Sequence, residues 1–224
     1  GKRKFSLRIY IVYFMTQQQS TQKSQDPEIY IATQGLVKVA SAPFEEEASS
    51  SSSSSSDDPL REPHSVEDMY MTNSGREVEM EQHDLSYLAK VMKDQGDSFD
   101  DLWFNIIQSA QIVMQKYHAD VSIQQEQDPT ILDYRTKLGR LGLPKVLGLD
   151  FLVDAECRPW LLEVNRFPGM EPRDDSDTHV KTTVMRHAWN LAEQRLQRKP
   201  LDLSRTIPPS CLHRISSLHD TSFD

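Results

Sequence analysis

Residues 148–170 read "GLDFLVDAECRPWLLEVNRFPGM", two strongly apolar runs that nevertheless carry Asp150, Glu163 and Asn165. Charged side chains are rarely buried unless they are paired or bind a metal. Each run is short, rich in branched and aromatic residues, and the two are joined by "DAEC", so they read as a β-hairpin. Side chains alternate between the faces of a strand. Glu163 and Asn165 therefore share a face, with Leu162 and Val164 expected on the core side. Leu149, Phe151 and Val153 share one face of the preceding strand and Asp150 takes the other. With "DAEC" as the connecting turn, Val153 stands opposite Arg158 and Asp150 opposite Leu161. That register leaves Glu163 diagonal to Asp150 on one face, and a slip of one residue would part them. Two readings follow from the residues alone. Either this is a solvated sheet face, or two carboxylates and an amide oxygen form a hard, oxygen-rich site suited to Mg²⁺ that keeps waters and bridges phosphates.

The rest of the chain bounds the choice. Its 224 residues carry Lys+Arg 25 against Asp+Glu 34, a net charge of -9. That balance argues against a general nucleic-acid binder. Lys2, Arg3, Lys4 and Arg8 nonetheless form a basic cluster able to meet a phosphate locally. Cys157 and Cys211 supply neither zinc spacing nor a disulfide framework, which suits a reducing compartment. No apolar run reaches the roughly 20 residues of a membrane helix. Opening at Gly1 and running almost directly into a strand, the chain reads as a fragment of something longer.

Residues 4–14, "KFSLRIYIVYF", read as a strand, with Lys4 and Arg8 on one face. "EIYIATQGLVKVASAPF" reads as two short strands broken at Gln34-Gly35. Residues 44–64, a serine run flanked by acids, cannot build a core and are expected to be a disordered insertion. A short helix ends near Gly96. A longer helix starts at Ser98, capped with Asp101, and carries Leu102, Ile106, Val113 and Tyr117 as a core stripe. Residues 122–142 read as loop. A second long helix covers "DTHVKTTVMRHAWNLAEQRLQR", with Val180, Val184, Ala188 and Leu191 on one side, and 199–224 read as a flexible tail. His64, His83, His118, His179, His187 and His213 show no ligand spacing and read as surface residues; Lys181 and Arg166 read as surface cations. The element order implies an α+β fold, helices packed on a mostly antiparallel sheet.

The stretch "GLDFLVDAECRPWLLEVNRFPG" resembles the signature of the tubulin–tyrosine ligase-like family, a Gly-x-Asp strand followed by Pro-Trp-Leu-Leu-Glu-x-Asn and a proline three residues on. "KFSLRIYIV", "GLVKVASAPF", "MYMTNSGRE" and "DTHVKTTVMRHAW" resemble further segments of that family. The resemblance implies the C-terminal lobe of an ATP-grasp fold over residues 1–198, following N-terminal and central lobes that lie upstream. It implies that Asp150, Glu163 and Asn165 hold the magnesium of Mg·ATP, and that Lys4 and Asn73 join the nucleotide site. Arg8 would contact phosphate or the incoming amino acid, and Lys38 would stand near an acyl phosphate. The implied activity is ATP- and Mg²⁺-dependent addition of glutamate, glycine or tyrosine to a protein tail, tubulin's or another acidic one, with neither nucleic acid nor membrane as partner. The location implied is the cytoplasm, on microtubules or cilia. The chain departs from the family pattern at Ser6, where an aspartate contacts nucleotide, at Tyr70, where a histidine is usual, and at Lys38, where arginine is usual. Lys38 supplies a point charge in place of a bidentate fork. Ser6 favours an alternative, an inactive family member that binds tubulin without modifying it. An ATP-grasp ligase for a small molecule is a third reading, opposed by the closeness of the Trp-Leu-Leu-Glu-Val-Asn match.

Overall fold

A computed structural model describes residues 3–14, 28–41, 81–127, 143–197 and 211–215. Within them, β1 (Phe5–Phe14), β2 (Glu28–Val39), β3 (Glu81–Asp84), α1 (Leu85–Gln95), α2 (Phe99–Gln127), β4 (Lys145–Val153), β5 (Pro159–Asn165), α3 (Asp175–Leu196) and β6 (Leu212–Arg214) follow in order. The strands form one sheet in the order β3-β2-β1-β4-β5, with β6 also on β2, and every pair is antiparallel. This is the α+β class that the sequence implies.

Alternation along β1 divides the core. Leu7, Ile9, Ile11 and Tyr13 pack with Leu88 and Met92 of α1 and Leu102, Ile106, Ala110 and Met114 of α2. Tyr10, Val12 and Phe14 pack on the other face with Val180, Val184, Ala188 and Leu191 of α3. The α3 stripe buries the residues that its 3.6-residue spacing selects; on α2 the buried line runs Leu102, Ile106, Ala110 and Met114, and the expected Val113 and Tyr117 are only half-buried. The caps are built from local chemistry. Asp84 accepts from Tyr87 N–H at 3.0 Å to start α1, and Gly96, at φ 83°, ends it in the left-handed conformation that glycine adopts without strain. Ser98 Oγ accepts from Asp101 N–H at 3.2 Å to start α2, as the capping pattern requires. The helix then runs on to Gln127, past the point where the sequence reads as loop.

Three further readings are corrected. The segment around Gly35 is one strand, not two. Across the sheet, Ile9 pairs with Gly35 and Ile11 with Ile31, so residues 32–34 bulge opposite the single Tyr10. Gly35 is needed for close approach and not for a turn, since a Cβ there would stand 2.8 Å from the Arg8 carbonyl oxygen and 3.0 Å from Ile9 Cδ1. Part of the expected loose tail is ordered at Cys211–Ile215, because Cys211, Leu212 and Ile215 are apolar and bury against the open edge of β2. Thr33 N–H donates to the Cys211 carbonyl at 2.7 Å, which satisfies the bulge. His187 is buried, not on the surface, and its Nδ1 accepts from Cys211 N–H at 3.0 Å with the Cys211 thiol 2.9 Å away. The serine insertion at 44–64 lies outside the described residues.

Two predictions arise. Gly35→Ala should cost about 1–3 kcal/mol in urea unfolding, the usual penalty of overpacking a site bounded by backbone. Burial, with Arg186 nearby, pushes the His187 imidazole below its usual 6.5. A histidine kept neutral in the fold and free to protonate when unfolded stabilises fully above that value, and the stabilisation falls away as pH drops below it. The protection factors of the Cys211 and Ile215 N–H groups, taken relative to intrinsic exchange at each pH, should therefore fall between pH 7 and pH 5, and His187→Gln should flatten that dependence.

Candidate functional site

The β4–β5 turn sets the geometry. Asp154 Oδ1 accepts from the N–H groups of Glu156 at 3.1 Å and Arg158 at 2.8 Å, while Oδ2 accepts from Arg158 Nε at 2.9 Å and Trp160 Nε1 at 2.8 Å. The Trp160 hydrogen bond leads, followed by those from Arg158, and the carboxyl is held at about 2. The turn takes one residue more than "DAEC", so Val153 pairs with Pro159, and a bulge between Asp150 and Phe151 adds a second shift. The expected pairing of Asp150 with Leu161 is thereby corrected to Asp150 with Glu163. One slip would separate the carboxylates; two slips bring them directly opposite. The bulge also exchanges the leucines. Leu161 packs on the α1–α2 core beside Val164, and Leu162, expected inside, is 60% exposed.

Rows of paired residues now cross the sheet on the α3 side. Leu36, Arg8, Asp150 and Glu163 form one row over β2, β1, β4 and β5. Lys38, Ser6, Leu152 and Trp160 form the next, and Tyr10, Gly148 and Asn165 lie on the other flank. Of the expected site residues, Arg8, Lys38, Asp150, Glu163 and Asn165 therefore gather on one face. Lys4 precedes β1, where its carbonyl accepts from Ala40 N–H at 2.9 Å. Asn73 and Tyr70 lie outside the described residues.

Arg8 grips Asp150 with a fork, Nε to Oδ1 and Nη2 to Oδ2, between side chains only 13% and 16% exposed. Burial works against the Arg8 charge. The two hydrogen bonds and the attraction of Asp150, with Tyr10 and Glu163 adding to it, outweigh burial and raise the guanidinium above its ordinary value. Gly148 makes the room: a Cβ there would stand 3.0 Å from Arg8 Cδ and 3.2 Å from Pro168 Cβ. Lys38 is 6% exposed and forms no ion pair among the described residues. Burial lowers its ammonium, Arg8 and Arg173 push the same way, and Asp150 and Asp177 oppose them.

Sequence reasoning missed the groups that α3 adds. Asp177 and Lys181 are buried, and Lys181 Nζ donates to Asp177 Oδ2 at 2.6 Å and to the Glu171 carbonyl at 2.7 Å, so Lys181 is no surface cation. Asp177 Oδ2 also accepts from Arg173 N–H at 3.0 Å. This ties the segment after β5 to the first turns of α3. The signal was present, because 177 and 181 continue the buried stripe of Val184, Ala188 and Leu191. Tyr10 Oη and Asp177 Oδ1 are buried and lack a hydrogen-bond partner among the described residues. Burial raises the Tyr10 hydroxyl, Arg8 opposes this, and Asp177 and Asp150 add to it.

The donor set fits a hard divalent ion of the magnesium type. Asp150 and Glu163 stand directly opposite each other in the register of β4 and β5, on the face that also carries Asn165, whose amide oxygen accepts from Phe167 N–H at 3.0 Å. Among the described residues no group of three or more His, Cys, Asp and Glu is close enough to cage an ion alone. By its chemistry, a set of two carboxylates and one amide oxygen suits a metal that also takes waters or phosphate oxygens.

The model of the Tubulin-tyrosine ligase family matches residues 1–200, and the chain belongs to that family. It is 26% identical over 217 residues to mouse tubulin polyglutamylase TTLL7, covering 90% of this chain and 21% of that protein. Against mouse tubulin polyglutamylase TTLL13 the identity is 24% over 203 residues, 86% of this chain and 22% of that protein. A probable alpha-tubulin polyglutamylase, Ttll1 of Tetrahymena thermophila, is 30% identical over 47 residues, 21% of this chain and 11% of that protein. The chain thus spans about a fifth of the length of the curated relatives that it matches most broadly.

Lys38 tests whether the face is built for a ligand. A buried ammonium among other cations costs stability, and methionine replaces its stem without the charge. Lys38→Met should raise stability by about 1 kcal/mol in urea unfolding. Unchanged or lower stability would mean that the ammonium serves the fold.

Proposed function

We propose that this chain forms part of the active site of a ligase that uses ATP and Mg²⁺ to add an amino acid to an acidic protein tail, above all that of tubulin. The carrying observation is the row Arg8–Asp150–Glu163 in a member of this family, with Asn165 and Lys38 on the same face. The names of the relatives make glutamate the first amino acid to test, ahead of glycine and tyrosine. Cytoplasmic action at microtubules or cilia accompanies this reading, and no helix among the described residues is long and apolar enough to cross a membrane.

ATP with magnesium would supply the phosphoryl group that activates a carboxylate as an acyl phosphate. Attack of an amine then forms the C–N bond of the amide and expels phosphate. The protein needs no covalent step; its residues position reactants and neutralise charge. Asp150, Glu163 and Asn165 would hold the metal with oxygen ligands. Lys38 and Arg8, both on the face where phosphate oxygens would gather, would offset the negative charge that collects there. Lys4 and Asn73 are assigned to the nucleotide on the strength of the family resemblance.

A second reading, a tubulin-binding member without catalysis, is favoured by Ser6. It is buried opposite Lys38 and Leu152, where the family pattern has an acidic nucleotide contact. One assay separates the two. A polypeptide containing the whole chain is incubated with Mg·ATP, tubulin and labelled glutamate, glycine or tyrosine. Label should enter tubulin, and Glu163→Gln should lower its rate by about 100-fold or more. Equal labelling by both proteins refutes the metal role of Glu163, and binding to tubulin without labelling selects the second reading.

A further inference from the structure

We propose that Arg8 is a resident counter-ion that makes divalent-metal binding at Asp150 conditional on a polyphosphate. The inference rests on the metal role assigned above to Asp150 and Glu163. Both oxygens of Asp150 are occupied by the Arg8 fork, and the pair is largely withdrawn from water. A bare divalent cation would meet a guanidinium at its first ligand, at a separation where like charges repel strongly outside bulk water. The row carries one net negative charge with Arg8 in place, and two without it.

A polyphosphate changes the balance. Its oxygens satisfy the planar, five-donor guanidinium as well as a carboxylate does, so Arg8 can exchange Asp150 for phosphate while Asp150 turns to the metal. The surroundings permit that exchange. The Arg8 arm lies over Gly148, which offers no Cβ to trap it. Glu163, directly across from Asp150, forms no ion pair among the described residues and stands ready as the second carboxylate. Lys38, on the adjacent row of the same face, is a second cation facing an incoming phosphate. Metal and polyphosphate then bind with positive coupling, each removing the obstacle to the other.

The test uses the whole chain, Mn²⁺ as the metal and inorganic tripolyphosphate as the anion, which requires no adenine pocket. Bound Mn²⁺ is read by electron paramagnetic resonance, and the ternary complex by water-proton relaxation. The wild type should bind Mn²⁺ weakly alone and about tenfold or more tightly with tripolyphosphate. Arg8→Gln should bind Mn²⁺ alone about tenfold more tightly than wild type and lose the enhancement. In the unaltered protein, the Arg8 Nε–H nuclear resonance should stay in place with Mg²⁺ alone and move when tripolyphosphate joins it, which keeps the test open should Arg8→Gln fold poorly. Equal Mn²⁺ affinity in Arg8→Gln and wild type, or release of Arg8 by Mg²⁺ alone, overturns the counter-ion role and leaves the metal site standing provided Glu163→Gln still abolishes binding. Absence of Mn²⁺ binding with tripolyphosphate, or binding that Glu163→Gln leaves untouched, overturns the metal site and this inference together.

Discussion

Asp154 holds the turn between β4 and β5 with four hydrogen bonds, and the bulge at Leu162 then returns Glu163 to the side of Asp150. The hairpin register is the constraint on which the site depends. A strand repeats every two residues, so any single slip would carry Glu163 and Asn165 through the sheet into the apolar layer beneath. That layer, made by Leu161 and Val164 against the helices α1 and α2, penalises such a slip. The same packing that supports the sheet therefore keeps the carboxylates on the opposite face.

The face itself is costly to build. It buries Lys38, closes Arg8 on Asp150, and sets Asp177 with Lys181 at the start of α3. Buried ion pairs do little for stability once desolvation is counted. On the same face, Tyr10 Oη and Asp177 Oδ1 are buried without a hydrogen-bond partner among the described residues, a further cost to the fold. The Asp177–Lys181 pair has an evident mechanical use, because it ties the segment following Asn165 to α3 through Glu171 and Arg173.

Much of this was legible in the chain. Alternation placed Asp150 apart from Leu149 and Phe151, and helical spacing selected the buried stripe of α3 and, on α2, Leu102 and Ile106. The Ser98 and Gly96 signals marked helix ends because capping is local chemistry. The misreadings were of long-range origin. Gly35 carried the signal of a turn while serving the close approach of β1, and Lys181 and His187 looked like surface groups until α3 was docked. Cys211–Ile215 showed no periodicity of their own and became a strand only because β2 offered an unpaired edge.

The sequence by itself determined the residue types of the site, their division between strands and the α+β class, since these depend on local periodicity and side-chain chemistry. Only the tertiary structure decided that Asp150 faces Glu163, that Arg8 closes on Asp150, and that Asp177 and Lys181 are buried above the sheet. Those outcomes turn on a bulge, a turn length and a helix docking, each set by contacts between residues distant in the chain.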